Sequence, residues 1–224
     1  MPFSPTQDTL GPMGRCVHDV AMLLTVLTGV DADDPVTEWS KDYVGADYTK
    51  FLVDEAGTTD KSLGAEIVEI HADGYDLFNE NEEKVLLTEL KDSLDTSLPK
   101  TGRLDGILDL IEYNRKHADR VMPFFGQDVL EKTAGFPGRG DESYLAARKA
   151  NVEGAQAKID NLLETHNLDP IVALTNSCAP YVIDPLVGDN LSNVGGCSTT
   201  PAMAGYPHIR LVKKSPEKLK LSPV

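Results

Sequence analysis

Apolar residues first fall into a helical rhythm at Val17, Val20, Ala21, Leu24 and Leu27, with Leu23 and Val26 widening the stripe. Positions three and four apart share one face of an α-helix, so this spacing predicts one. Asp19 lies in its first turn, where the helix dipole favours an anion, and Gly29 fits a C-cap. Cys16, at the N-cap position, lacks the side-chain oxygen a good cap supplies. Just upstream, Gly11-Pro12 forces a change of direction, because glycine tolerates positive φ while proline fixes φ and withholds a donor. The stretch reads as a strand end, a tight turn and a helix start.

Further along, Val85, Leu86, Leu87, Leu90, Leu94 and Leu98 recur at the same spacing over residues 79–98, and Pro99 ends the run. Glu80, Glu82, Glu83, Glu89, Lys91 and Asp92 fill the remaining positions, which predicts an amphipathic surface helix whose carboxylates face water. Leu104, Ile107, Leu108, Ile111 and Asn114 predict a helix of about four turns. Asp141 is a good N-cap for a long helix reaching His166. Its stripe of Tyr144, Ala147, Ala150, Ala155, Ile159, Leu162 and Leu163 is mostly small, so another element can approach closely. Two stretches read as strands, residues 63–70 and the uninterrupted apolar run 171–174, which suits a strand buried on both faces. Residues 30–48 read as an acidic surface loop. Asp31, Asp33 and Asp34 lack the glycine and terminal glutamate that complete an EF-hand's oxygen cage.

Composition narrows the classes. The chain has 224 residues, enough for one substantial domain, expected over residues 1–209. The polar, basic residues 210–224 read as a disordered tail. A net charge of −15 argues against nucleic-acid binding, which needs basic density to neutralise phosphates. No apolar run reaches the roughly 18 residues of a membrane span and no leader opens the chain, so no membrane association and a cytoplasmic location are expected. Cys16, Cys178 and Cys197 are odd in number and irregularly spaced, as expected of reduced thiols. The histidines show no metal-ligating spacing, so no metal is expected.

Few residues here suggest chemistry. Ser198 follows Gly195-Gly196 in a way that superficially resembles a nucleophile on a glycine turn, with His208, Lys213 and Lys214 as the nearest possible bases. Glycines that let a loop pass close to a ligand or another backbone explain the same residues without catalysis. A Cys178–His208 or Cys197–His208 pair is conceivable; buried inert thiols are the simpler reading. Phe124 and Phe125 read as anchors of a loop in the core, with one wall of a pocket as the alternative.

Three regions, in order, carry a family resemblance. The run Gln7-Asp8-Thr9-Leu10-Gly11-Pro12-Met13-Gly14-Arg15, with Asp19, Ala21, Leu23-Leu24, Leu27, Gly29 and Asp34-Pro35, resembles the segment just downstream of the catalytic core in the amidase signature family. Asn114, His117-Ala118 and Met122-Pro123-Phe124-Phe125-Gly126-Gln127 resemble a motif of one of its branches. Leu168-Asp169-Pro170-Ile171-Val172-Ala173-Leu174-Thr175, with Asp184, Val187-Gly188-Asp189 and Ala204-Gly205-Tyr206-Pro207-His208-Ile209, resembles the family's strand, long loop and Ala-Gly-Tyr-Pro turn. Asn176 departs from the proline common after that strand.

The resemblance implies the C-terminal part of an α/β fold with a mixed twisted sheet flanked by helices. It implies hydrolysis of carboxamide C–N bonds by a Ser-cisSer-Lys triad, without metal or organic cofactor. The family's triad lies before the resembling segment, so no catalytic residue is expected in this chain, which should be inactive alone. Phe125, Gly126, Gln127, Asp184, Gly195 and Gly196 are the implied pocket residues, and Asp8, Thr9, Gly11 and Arg15 the implied structural support of the site. The implied partners are a small-molecule amide once an N-terminal half completes the site, and a complementing chain or second copy. The alternative is a non-catalytic interaction or regulatory fragment whose exposed sheet edge pairs with another chain.

Overall fold

The computed structural model describes residues 3–14, 16–52, 66–71, 79–172 and 197–208. They fall into two compact units, one taking the chain up to Asp8 together with Ile70 to His208, the other taking Thr9 to Glu69.

In the second of these, helix α1 spans Val17–Leu27 as its spacing predicts. Cys16 makes no side-chain cap bond there. Gly14 is needed by space: a Cβ on it would stand 2.7 Å from the Asp19 Cβ in the first turn of α1. The helix closes at Thr28 rather than Gly29, since both the amide and the hydroxyl of Thr28 donate to the Leu24 carbonyl. Beyond it the expected loop is partly regular. A 3-10 helix occupies Pro35–Tyr43, with Asp34 accepting from the Val36 amide, and a second one occupies Tyr48–Phe51, with Asp47 accepting from the Thr49 amide. Asp31 accepts from the Asp33 amide. These aspartates are local caps, which short carboxylates supply readily. Tyr48 donates its amide to Thr25 Oγ1 at 3.0 Å, and Ser40 donates to the Gly29 carbonyl at 3.2 Å, tying the 3-10 helices to α1.

The other unit is built on α2, Glu80–Ser97, opened by Asn79, whose side chain accepts from the amides of Asn81 and Glu82. The helix begins and ends as predicted, but it is central rather than superficial, with Glu82, Val85, Leu87, Thr88, Glu89, Leu90, Ser93 and Leu94 all buried. One side packs Leu90 and Leu94 against Ile107 and Ile111 of α3, Ile107–Lys116. Leu130 and Ala134 of α5, Asp128–Ala134, join them, after the single turn α4, Ala118–Val121. The other side packs Val85 against Tyr144 and Ala147 of α6, Glu142–His166. Asp141 caps α6 as expected, accepting from the Ser143 amide, and Asn167 ends it at φ 51°. Farther along α6, Ala155 and Ile159 meet Met203 and Ala204 of α7, Thr199–Ala204. The small α6 stripe thus does admit a neighbour closely. Each fully buried aliphatic side chain in such clusters contributes about 1.5–3 kcal/mol.

Among the described residues there is no β-sheet, and the expected α/β architecture is replaced by a helical one. The β-type pairing present is an isolated Asp31–Asp34 bridge. Of the first predicted strand, residues 66–70 lie outside regular structure, with Ile67 and Val68 exposed; residues 63–65 are outside the described set. Of the second, Val172 is 91% exposed, while Ile171 packs on the Ala155, Ile159 and Met203 cluster; residues 173 and 174 are outside the described set. An apolar run supplies strand propensity, but a strand exists only when a neighbour completes its backbone hydrogen bonds. The sheet edge invoked for a partner is therefore not found among the described residues. Neither is any helix long and apolar enough to cross a membrane. The tail at 210–224 and Asn176 lie outside the described set.

Candidate functional site

The Met122–Gln127 motif lines a groove of about 430 Å³ that runs from Asn114 past Val121 to Leu130. This volume lies in the range of small-molecule sites. Phe124 is 59% exposed and Phe125 39%, so the two rings do not anchor the loop in the core; they are walls of the groove, with Met122, Pro123 and Val129. The loop is fixed instead by Gln127. Its Nε2 donates to the Ile111 carbonyl at 3.1 Å and its Oε1 accepts from Asn114 Nδ2 at 3.0 Å, so the side chain is held against α3 at both ends. Arg115 on α3 meets Glu131 on α5 at 2.9 Å across the base of the same loop. Neither a serine, cysteine, lysine nor histidine lines the groove. It can hold an apolar group beside an amide floor, but it cannot supply a nucleophile and its base.

A second polar cluster was not legible as such in the sequence. Glu82 and Glu89, expected in water, are 1% and 0% exposed between α2, α6 and the N-terminal residues. Glu89 accepts from Ser4 Oγ (2.7 Å), Thr6 N (3.1 Å), Thr6 Oγ1 (2.7 Å) and Tyr144 OH (2.6 Å). Burial pushes its carboxyl up, yet these hydrogen bonds to the charged form prevail and hold it below its ordinary value. Glu82 accepts from Asn151 Nδ2 at 2.8 Å and Gln7 Nε2 at 3.2 Å, and here burial prevails and raises it. Burial and the bond to Glu89 raise the Tyr144 hydroxyl. Glu82 faces Asn151 and Glu89 faces Tyr144, each pair seven residues apart on its own helix and in opposite order, so α2 and α6 run antiparallel with two polar rungs.

Phe125, Gly126 and Gln127 are thus brought together in the groove, with Asn114 added. Asp184, Gly195 and Gly196 lie outside the described residues, as do Arg15 and Cys178. Asp8 accepts from the amides of Phe3 and Ser4, closing residues 3–8 on themselves. Thr9 and Gly11 are exposed. Ser198 stands at the N-cap of α7 without a side-chain cap bond, and Thr200 beside it is buried.

Comparison with known proteins puts this geometry in context. A probable amidase of Arabidopsis thaliana is 26% identical over 239 residues, a match covering 94% of this chain and 43% of that protein. The crystal structure of PAM12A superposes with a TM-score of 0.81 at 30% identity, covering 91% of this chain and 46% of the other. The chain is thus similar, over nine-tenths of its length, to less than half of an amidase, as the resemblance of its motifs implies. Peptide amidase PAM, in complex with the competitive inhibitor chymostatin, matches with a TM-score of 0.76 at 29% identity, covering 91% of this chain and 47% of its own. Native peptide amidase from Stenotrophomonas maltophilia gives 0.68 at 27% over 91% and 46%. No family model matches the sequence. The chain spans less than half the length of the relatives it matches.

Proposed function

We propose that this chain is the C-terminal part of an amidase signature hydrolase acting on carboxamide C–N bonds, and that it supplies a substrate wall rather than the reacting groups. The observation that carries the reading is the groove at Phe124 to Gln127, placed by Gln127 and Asn114 in a chain that matches amidases over nine-tenths of its length. Its apolar walls favour amides with an apolar or aromatic acyl group. Acyl transfer also needs a nucleophile, a base within hydrogen-bond reach and donors for the oxyanion. In this reading those come from the half of the amidase fold without a counterpart in this chain, and Asp8, Thr9, Gly11 and Arg15 brace the junction. Asp184, Gly195 and Gly196 complete the wall, and the setting is cytoplasmic.

Purified chain offered simple aliphatic and aryl amides should show no turnover. Turnover that Ser198→Ala abolishes would overturn the proposal, since it would place the nucleophile in α7's cap.

A second reading, a non-catalytic interaction fragment, draws support from apolar side chains exposed in the second unit, among them Met13, Val26, Trp39 and Phe51. It requires a defined complex or homo-oligomer without amide turnover, which light scattering and the amide assay together distinguish.

A further inference from the structure

The N-terminal residues Phe3–Asp8 are held to the helices largely through one charge. Ser4 is 1% exposed although it is a short polar residue, and its hydroxyl and both donors of Thr6 converge on Glu89. Gln7 adds a weaker tie to Glu82. Asp8 turns the segment back on itself by accepting from Phe3 and Ser4, and the Gln7 and Asp8 amides both donate to the Ser4 carbonyl.

We propose that Glu89 is a charge-dependent latch, and that residues 3–8 stay seated on α2 and α6 only while its carboxylate is ionised. Each Glu89 oxygen accepts twice, Oε1 from Thr6 Oγ1 and Tyr144 and Oε2 from Ser4 Oγ and the Thr6 amide. An ionised carboxylate is acceptor-only and satisfies four donors. A proton on Oε2 cannot be accepted by the Thr6 N–H, which can only donate, so it must turn the Ser4 hydroxyl from donor to acceptor and leave the Thr6 amide facing a neutral carboxyl. A proton on Oε1 would displace the hydroxyl proton of Thr6 or Tyr144. Protonation therefore reverses or weakens the strap hydrogen bonds, replacing charge-assisted ones by weaker neutral ones, while leaving the α2–α6 apolar packing of Val85, Tyr144 and Ala147 in place.

The charged surroundings fit this role. Arg139, in the turn before α6, lies in the field of Tyr144, Glu89 and Asp92, and the Asp92 Oδ2 is 3.8 Å from its Nη1. On α2 the other buried carboxyl is Glu82; on the strap the ionisable group is Asp8, turned toward Phe3 and Ser4; from α5, Lys132 is paired with Glu83. Among the described residues no ion pair engages Glu89 directly, so hydrogen bonds from the strap and Tyr144 hold its charge. The strap ends at Asp8, the last residue of this unit before Thr9. This inference is independent of the amidase reading.

The experiment is residue-resolved amide hydrogen exchange on the whole chain, from about pH 7 to about pH 3, with carboxyl resonances followed by NMR. Protection factors at Thr6, Gln7 and Asp8 should fall about tenfold or more as Glu89 titrates, while Leu94 in α2 keeps its protection. Glu89→Gln should show the unlatched strap already at neutral pH, and Glu82→Gln should keep it latched. Should Glu89→Gln not fold, Ser4→Ala with Thr6→Val decides the matter, because it leaves Glu89–Tyr144 intact and must still lose strap protection. Strap protection that survives Glu89 titration or these variants would overturn the proposal, as would loss that follows Glu82 or coincides with unfolding of α2.

Discussion

At the scale of single residues, the two buried glutamates pull stability in opposite directions with pH. The lowered Glu89 binds fewer protons folded than unfolded. Its contribution is full above the ordinary value of 4.5 and is lost as pH falls through its lower folded value. The raised Glu82 binds more protons folded, so its ionisation opposes folding at neutral pH, and this penalty is relieved as pH falls through the raised value toward 4.5. Glu82→Gln keeps an oxygen for Asn151 and Gln7 without the charge. It should unfold at the same or a higher temperature than the parent at neutral pH, with the difference vanishing in acid. Tyr144→Phe removes a charge-assisted donor from Glu89 and should lower stability by about 1.5–3 kcal/mol in urea titration. A Glu82→Gln chain clearly weaker at neutral pH than the parent would contradict this assignment. The pattern of polar positions missed both residues because it equates a carboxylate with the wet face. A usable signal was present: Glu82, Val85 and Glu89 share one helical stripe, and Tyr144 and Asn151 repeat its seven-residue step on α6.

Among elements, helices were readable because their signals are local. The bounds of α2 and α6 follow from Asn79, Pro99, Asp141 and an apolar rhythm. The start of α3 was not, because a residue on another helix sets it. Gly106, at φ 153°, precedes Ile107, whose amide donates to Asp95 Oδ1 on α2 at 2.9 Å; a Cβ on Gly106 would stand 2.6 Å from that same oxygen. Leu104 therefore stays outside and α3 has ten residues rather than four turns' worth. Asp95→Ala should cost about 0.5–2 kcal/mol, as loss of a helix cap does, and Gly106→Ala more, since clash and backbone strain add to it. Equal midpoints for parent and Gly106→Ala would show that the cap is not set this way. Among the described residues the predicted strands do not form, for the complementary reason: Val172 and Ile67 carry the propensity, but their sequence holds no record of a partner strand.

On the scale of the whole molecule, the likeness to amidases was legible because it rests on ordered motifs, Asp8 to Arg15, Met122 to Gln127 and Ala204 to His208, and the relatives it pointed to match at 26–30% identity. The groove was half legible. Its motif was identifiable, but the exposure of Phe124 and Phe125 depends on Gln127 bonding back to Ile111 and Asn114, a tertiary choice that spacing does not reveal. The exposed apolar residues of the second unit have a ready meaning if the amidase fold is completed by further chain, which would cover part of them. The most direct test of that account is amide hydrolysis after co-expressing this chain with the portion of a peptide amidase that has no counterpart in it. The account predicts turnover of an apolar amide that neither piece shows alone and that Gln127→Ala reduces about tenfold or more through a raised KM. A stable complex with no turnover, or turnover by this chain unaided, would contradict it.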